Sequence, residues 1–228
     1  MIARSQSLPM TMISGYMQEQ DSLETAYNPT LVPEDSDIDG VEDLEGATIA
    51  VNELRAFGET VVRASLDLQG VDSSTVTFVE LPCPDMPAAL AAGQVDAIWV
   101  GEPFVTPTLQ AGAVVIDSPM MTIADGGNLI MSGWVTTDEF AAQHPDTVQR
   151  FLRAIDKTVD YVASHEAEYR AAIPEHTQVN ADLAALMRLP LFDAAIDVDQ
   201  LTTLSDYAVE YGIIDEPLIV SELVASAE

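Results

Sequence analysis

The amino-acid sequence predicts an α/β protein whose core is a mainly parallel sheet. Short apolar runs alternate with helical segments between residues 45 and 137, and this alternation is typical of βαβ units. A long amphipathic pattern begins after residue 144, so the C-terminal third is predicted to be helical. Of the 228 residues, 48% are hydrophobic, which is ample for a folded core.

The predicted elements follow in order along the chain. Extended segments are predicted at 8–18, 27–33, 47–51, 76–81, 95–100, 114–116 and 128–137. Helices are predicted at 58–69, 86–92, from 145 onward, and at about 180–188 and 198–210. Gly70 and Gly93 stand where the first two of these helices should end. Trp134, on the last strand, is predicted to belong to the core.

Charge excludes one class of partner. The chain has 38 Asp and Glu residues against 8 Lys and Arg residues, a formal net charge of -30. Such a surface repels phosphate, and no basic stripe offsets it, so we expect no nucleic-acid partner. The acidity fits either a saline habitat or a bias of composition, and it says nothing of the ligand.

The residues that usually hold metals are scarce. Cys83 is the only cysteine, which rules out an internal disulfide and a cysteine-based zinc site. The three histidines, His144, His165 and His176, lack metal-binding spacing, so neither a metal nor a cofactor is predicted. No apolar run reaches the 18 residues of a membrane span. The first 17 residues hold no clean apolar block, so no signal sequence is expected in this chain.

Four segments, in order, resemble one family. They are Val41–Val51 (VEDLEGATIAV), Glu80–Leu90 (ELPCPDMPAAL), Gly93–Phe104 (GQVDAIWVGEPF) and the helix that follows His144-Pro145. The third is similar to a "G-x-V-D-A…W-x-x-E-P-F" signature. The chain is therefore identified as a member of the solute-binding proteins of ABC importers for nitrate, sulfonates, taurine and thiamine-precursor pyrimidines (NMT1/THI5-like and SsuA-like proteins).

This resemblance implies a fold of the type II periplasmic-binding-protein kind, with two α/β lobes that hold ligand in the cleft between them. Met1 falls where the family is already well inside its first lobe, so lobe one is expected to be incomplete. Residues 1–33 would be its remnant with the first crossover strand. Residues 34–137 would form α/β lobe two, and 138–228 a helical part that packs on lobe one.

The resemblance also implies a function and partners. The chain would be the extracytoplasmic component of an importer, in the periplasm or lipid-anchored at the cell surface, and would deliver a small molecule to a membrane permease without catalysis. The ligand would be a pyrimidine-like heterocycle or a sulfonate or other oxyanion. An incomplete lobe would expose apolar surface, so a homodimer that buries it is expected.

The candidate ligand-binding residues lie where three predicted strands end, since ligands of open α/β sheets bind at the carboxyl ends of the strands. They are Asn52, Leu54, Arg55 and Phe57; Asp85 and Met86; Trp99, Glu102 and Phe104; and Tyr27 and Asn28 beside the presumed crossing strand.

Each candidate has an alternative role. Arg55 would grip an oxyanion or be a surface arginine that pairs with an acid. Asp85 would accept hydrogen bonds from a ligand, but capping of the following helix is the favoured role. Trp99 and Phe104 would stack on a flat ligand while Glu102 binds its donor edge. Otherwise Trp99 belongs to the core, Glu102 is a hinge or cap residue, and Tyr27 and Asn28 pack a loop.

Two rival functions stay open at this point. LysR-type effector domains share the two-lobe architecture, which would make the chain part of a transcriptional regulator. A pyrimidine synthase of thiamine biosynthesis also resembles these receptors, but its cysteine-rich motif is absent. Because no histidine lies in a strand-end turn, we expect no catalytic residues.

Overall fold

The computed structural model describes residues 1–224, which divide into two compact units. Unit 1 comprises Met1–Gln18, Ile130–Arg170 and the chain from Leu191 onward, and unit 2 comprises Glu19–Leu129 and Ala171–Pro190. Each unit contains its own β-sheet. None of the described helices is long and apolar enough to cross a membrane.

Unit 2 is built on a five-stranded sheet. Its strands are β2 (Thr30–Pro33), β3 (Thr48–Val51), β4 (Thr77–Glu80), β5 (Ala97–Trp99) and β6 (Ala113–Asp117), in the order β4-β3-β5-β2-β6. β3 runs parallel to β4 and β5, whereas β2 is antiparallel to both β5 and β6. The prediction of a mainly parallel sheet was therefore wrong for half of the strand pairs, because apolar periodicity carries no information on strand direction.

Five helices lie wholly within unit 2. They are α2 (Phe57–Leu68), α3 (Met86–Ala91), α4 (Val105–Gln110), α5 (Pro119–Ile123) and α9 (Ala181–Leu186). The core on one side includes Leu31, Met86 and Ile98, which are fully buried. The helices predicted at 58–69 and 86–92 are confirmed to within one residue, but α4 and α5 were not predicted. α4 contains Pro107 and α5 starts at Pro119, and prolines are poor helix signals by propensity.

Unit 1 is built on a three-stranded antiparallel sheet. Its strands are β1 (Met10–Gln18), β7 (Ile130–Thr137) and β8 (Leu191–Phe192), in the order β7-β1-β8. The helices are α1 (Ile2–Ser5), α6 (Asp138–Gln143), α7 (Pro145–Ser164), α10 (Val198–Glu210) and α11 (Val220–Leu223), while α8 (Glu166–His176) runs across the division at residue 170.

A row of aromatic rings covers the sheet of unit 1. Tyr16 packs on Trp134 and on Phe192 at 5.5 Å between ring centroids, and Trp134 meets Phe151 of α7 edge-on at 5.2 Å. Offset and edge-on pairs of this kind add to the stabilisation from burial. Trp134 is nevertheless 39% exposed, so its prediction as a core residue was wrong.

Candidate functional site

Three loops of unit 2 leave the sheet at one edge. Residues 52–56, 81–85 and 100–104 follow the carboxyl ends of β3, β4 and β5, which are neighbours in the sheet. The first loop is tied to the end of β4, since the backbone N–H of Leu54 donates to Oε2 of Glu80 at 3.1 Å. The fold thus brings the loops that carry most of the predicted ligand-binding residues to one side of unit 2.

Asn52, Phe57 and Trp99 meet around Gly58. A Cβ atom added to Gly58 would lie 2.6 Å from Cζ3 of Trp99 and 2.9 Å from Oδ1 of Asn52, so only glycine fits without a shift. The Phe57 and Trp99 rings pack edge-on with 6.3 Å between their centroids. Asn52 is exposed, whereas Trp99 is only 7% exposed. Trp99 therefore packs as a core residue behind the exposed loop.

Helix α2 begins at the same edge of the sheet. Ala56 occupies the N-cap position and supplies no side-chain hydrogen bond. Arg55 precedes it, exposed and with φ of 55°, and its N–H donates to Oε2 of Glu59 at 2.7 Å. The carboxylate of Glu59 also accepts from Nε of Arg63 at 2.8 Å, which compensates its charge. An uncapped helix start of this kind attracts negative charge.

The loop after β4 contradicts one expectation. Asp85 is the N-cap residue of α3, but its side chain makes no capping hydrogen bond, so the favoured capping role was wrong. Asp85 is exposed and its carboxylate faces no helix donor. Met86 is fully buried in the core of unit 2 and supports the loop from inside. Burial raises the pKa of the half-buried Cys83 thiol.

Glu102 is a buried junction. Its carboxylate accepts hydrogen bonds from the hydroxyl and the backbone N–H of Thr106, and from the backbone N–H of Arg188 at 2.9 Å. Both carboxylate oxygens of Glu102 therefore accept hydrogen bonds from the protein itself, as expected of a hinge or cap residue. Phe104 is half-buried and packs against the core of unit 2.

Tyr27 and Asn28 stand next to this junction. The carbonyl of Tyr27 accepts from the N–H of Glu102 at 3.2 Å. A Cβ on Gly101 would lie 2.1 Å from Oδ1 of Asn28, so these two residues are in close contact. The structure therefore joins the 27–28 turn to the loop that follows β5.

Two residues of this region were not found from the sequence. Glu19 is fully buried, and its carboxylate accepts the backbone N–H groups of Gln20, Tyr27 and Asn28. Burial raises the pKa of Glu19, and these hydrogen bonds oppose that shift. Arg188 is half-buried, and its Nη1 donates to the carbonyl of Ala26 at 2.9 Å. The scarcity of arginine was the one signal that could have pointed to Arg188.

Metal ligands are not gathered anywhere in the described part of the chain. Between residues 1 and 224 no group of three or more His, Cys, Asp or Glu side chains could hold a metal ion. The edge described above instead offers backbone N–H groups, an amide, aromatic rings and guanidinium groups. Among these groups, the N–H and guanidinium donors can bind an anionic group, and the rings can cover an organic skeleton.

Known proteins match both the sequence and the fold. The family model described as NMT1/THI5 like matches residues 1–169. The taurine-binding periplasmic protein of Escherichia coli (strain K12) is 32% identical over 124 residues, which are 54% of this chain and 38% of that protein. The chain thus spans well under half of the length of this relative.

Solved structures share the fold at low identity. The alkanesulfonate-binding protein SsuA from Xanthomonas axonopodis pv. citri, bound to MOPS, has a TM-score of 0.79 at 16% identity over 99% of this chain and 77% of its own. The desulfurization enzyme DSZB has a TM-score of 0.64 at 14% identity over 95% of this chain and 77% of its own. The expected fold of the type II periplasmic-binding-protein kind is confirmed, and the fold is also found in an enzyme.

Proposed function

The chain belongs to the NMT1/THI5-like family, and we propose that it is a solute-binding protein that holds a small sulfonate at the carboxyl edge of the sheet in unit 2. The single observation that carries this is the convergence of the loop after β3 and of Trp99 at the end of β5 on the uncapped N-terminus of α2. Backbone N–H groups there and the nearby Arg55 offer donors to an anionic group.

The aromatic side chains near this edge indicate what kind of carbon skeleton the ligand would have. Phe57 is half-buried beside the exposed Asn52, and Phe104 is half-buried on the loop after β5. Such rings cover the carbon skeleton of a ligand, and the amide fixes its orientation. The taurine-binding protein and the alkanesulfonate-binding SsuA are named for ligands that unite a sulfonate with an organic skeleton. A sulfonate is therefore favoured over a pyrimidine.

The location and the partner follow from the same proposal. A binding protein of this family would work outside the cytoplasmic membrane and deliver its ligand to an ABC permease. The relative that is 32% identical is named a periplasmic protein, which supports this location.

We also propose that the protein binds and releases its ligand without changing it chemically. The only cysteine, Cys83, is half-buried with a raised pKa, which keeps it a poor nucleophile near neutral pH. His144, His165 and His176 lie at the ends of α7 and α8, outside the three loops. Mass spectrometry of a sulfonate incubated with the protein should show the intact compound, and any desulfonated product would argue for an enzyme.

Isothermal titration calorimetry tests the binding function. Taurine, butane-1-sulfonate and a 4-aminopyrimidine are titrated into the full chain. Saturable binding of at least one sulfonate, tighter than that of the pyrimidine, is expected. Binding of the pyrimidine alone would reassign the ligand class, and no binding of any of the three would refute the proposed function.

A further inference from the structure

We propose that Arg188 binds the anionic group of the ligand at this edge. The inference rests on the proposed function and adds to it the residue that selects for negative charge. The sequence pointed to Arg55 instead, because arginine is scarce in this chain and Arg55 lies in the turn between a predicted strand and the helix that follows it. The structure favours Arg188 on three grounds: its anchoring, its lack of a direct ion pair and its burial.

Arg188 is anchored from two sides. Its backbone N–H donates to Oε1 of Glu102 at 2.9 Å, and Nη1 of its guanidinium donates to the carbonyl of Ala26 at 2.9 Å. Ala26 is fully buried and directly precedes Tyr27 and Asn28. Arg188 is therefore fixed between the 27–28 turn and the loop after β5, both of which carry predicted ligand-binding residues.

No carboxylate neutralises the Arg188 guanidinium directly. Glu102 and Glu19 lie near enough to attract it, but their oxygens accept from Thr106, from the Asn28 side chain and from backbone N–H groups, and from no guanidinium. Arg4, Arg63 and Arg170, by contrast, pair directly with Asp138, Glu59 and Glu166. Arg188 thus differs from the half-buried Arg63, which is paired with Glu59.

Partial burial of the Arg188 guanidinium makes binding of an anion more favourable. Burial lowers the pKa of the Arg188 guanidinium, because removal of water disfavours its charge. A half-buried cation regains this cost when an anion approaches with matching geometry. The guanidinium still has Nε and Nη2 donors after its bond to Ala26, and a planar fork of donors matches two oxygens of a sulfonate.

The other arginines of unit 2 are less suited. Arg63 is already occupied by Glu59 and by the carbonyl of Ser73 at 2.8 Å, and its guanidinium lies over the Phe78 ring. Arg55 is exposed to solvent, where an ion pair contributes little. Arg188 is thus the cation whose contribution to affinity should be largest.

The test compares charge recognition in four proteins. Butane-1-sulfonate and its uncharged counterpart, butane-1-sulfonamide, are titrated calorimetrically into the wild-type chain and into the variants Arg188→Gln, Arg55→Gln and Arg150→Gln. Arg150 lies exposed on α7 in unit 1 and serves as the matched control for loss of one positive charge. Gln at 188 retains an amide donor for the carbonyl of Ala26, and circular dichroism verifies folding.

We expect Arg188→Gln to weaken sulfonate binding about 10- to 100-fold, as the loss of a charge-assisted hydrogen bond does. Sulfonamide binding should change far less, which a merely structural role of Arg188 would not produce. Arg150→Gln should bind as the wild type does. If Arg188→Gln does not fold, Arg188→Lys, which keeps the charge but not the fork, should show the same selective loss to a smaller degree.

If Arg188→Gln binds butane-1-sulfonate as tightly as the wild type does, this inference is overturned and the proposed function still stands. An equal loss for sulfonate and sulfonamide would also overturn it, since the effect would then not depend on charge. Failure of the wild type itself to bind any sulfonate would overturn both.

Discussion

The backbone N–H of Arg188 donates to the carboxylate of Glu102 across 86 positions of the chain, at 2.9 Å. The same carboxylate accepts the N–H and the hydroxyl of Thr106, so one buried side chain joins the segment before residue 190 to the start of α4. Glu102 is 7% exposed, and water cannot readily replace these partners. The glutamate of the W-x-x-E-P-F segment is thus a structural junction of unit 2.

Glu102→Gln should therefore destabilise the protein. The amide presents an NH₂ group where the carboxylate accepted donors, and loss of such bonds costs about 1.5–3 kcal/mol. Urea unfolding measures the change in free energy, and Glu45→Gln at an exposed position is the control for loss of one negative charge. Equal stability of the two variants would show that the junction contributes nothing.

Gly58→Ala should lower both stability and ligand affinity. The new methyl group would press on the Trp99 ring and on Asn52, and overpacking of this kind costs about 1–3 kcal/mol. The better helix propensity of alanine offsets up to about 1 kcal/mol of this.

Gly40→Ala is the control for Gly58→Ala. Gly40 has extended backbone at φ of -161°, and its added methyl group would meet only the flexible side chain of Glu42. Thermal unfolding should show a lower Tm for Gly58→Ala alone. A Tm at or above that of the wild type would mean that Trp99 moves aside at no cost.

Asp117 should make stability depend on pH. This side chain, 5% exposed, accepts hydrogen bonds from Ser65 at 2.6 Å and from Gln69 and Thr122 at 3.2 Å. Burial nevertheless raises its pKa above the ordinary 3.8. The folded state then binds the proton more tightly than the unfolded state, so this carboxyl makes the protein more stable as pH falls through the raised pKa toward 3.8.

The variant Asp117→Asn removes that contribution. Relative to Asp117→Asn, the wild type should gain stability between pH 7 and pH 4, which urea unfolding at several pH values measures. Asp21→Asn, at an exposed position, loses the same charge and corrects for the general relief of repulsion at low pH. A wild type that loses stability relative to Asp117→Asn over this range would contradict the direction of the shift.

Unit 1 should associate with a second copy of itself. β7 is an edge strand of its sheet and carries no charged residue. Trp134 and Val135 of β7 are 39% and 54% exposed, and Phe140 of α6 is 42% exposed. They line a shallow groove of about 320 Å³. Uncharged edge strands pair readily with a second chain. The net charge of -30 opposes this, so salt should promote dimers by screening.

Light scattering after size exclusion at 0.05 M and 1 M NaCl measures the association. Trp134→Ser should reduce the dimer fraction at high salt, whereas Tyr161→Ser, which removes an aromatic ring that is 49% exposed on α7, should not. A monomer at both salt concentrations and high protein concentration would refute the dimer.

The sequence predicted the local elements better than the contacts between distant segments. Apolar periodicity located β3, α2, β4, α3, β5 and α7 because each is defined by its own residues. The position of β2 between β5 and β6 depends on pairings such as Leu31 with Ile98 and Val115, which no local pattern encodes. Arg188 was missed for the same reason, since Ala26 lies 162 positions away. Glu19 was missed because no local pattern shows that its carboxylate folds back on the N–H groups of Tyr27 and Asn28.

The hydrogen bonds around Glu19 have a consequence for how this fold can diversify. The carboxylate accepts the main-chain N–H groups of Gln20, Tyr27 and Asn28, which every amino acid except proline supplies, and a further bond from the Asn28 side chain. Substitutions at Gln20 and Tyr27 can alter the side chains that a ligand would meet while these main-chain hydrogen bonds still hold the turn to Glu19. The fold can therefore acquire new ligands by changes in this turn without losing the framework that holds it.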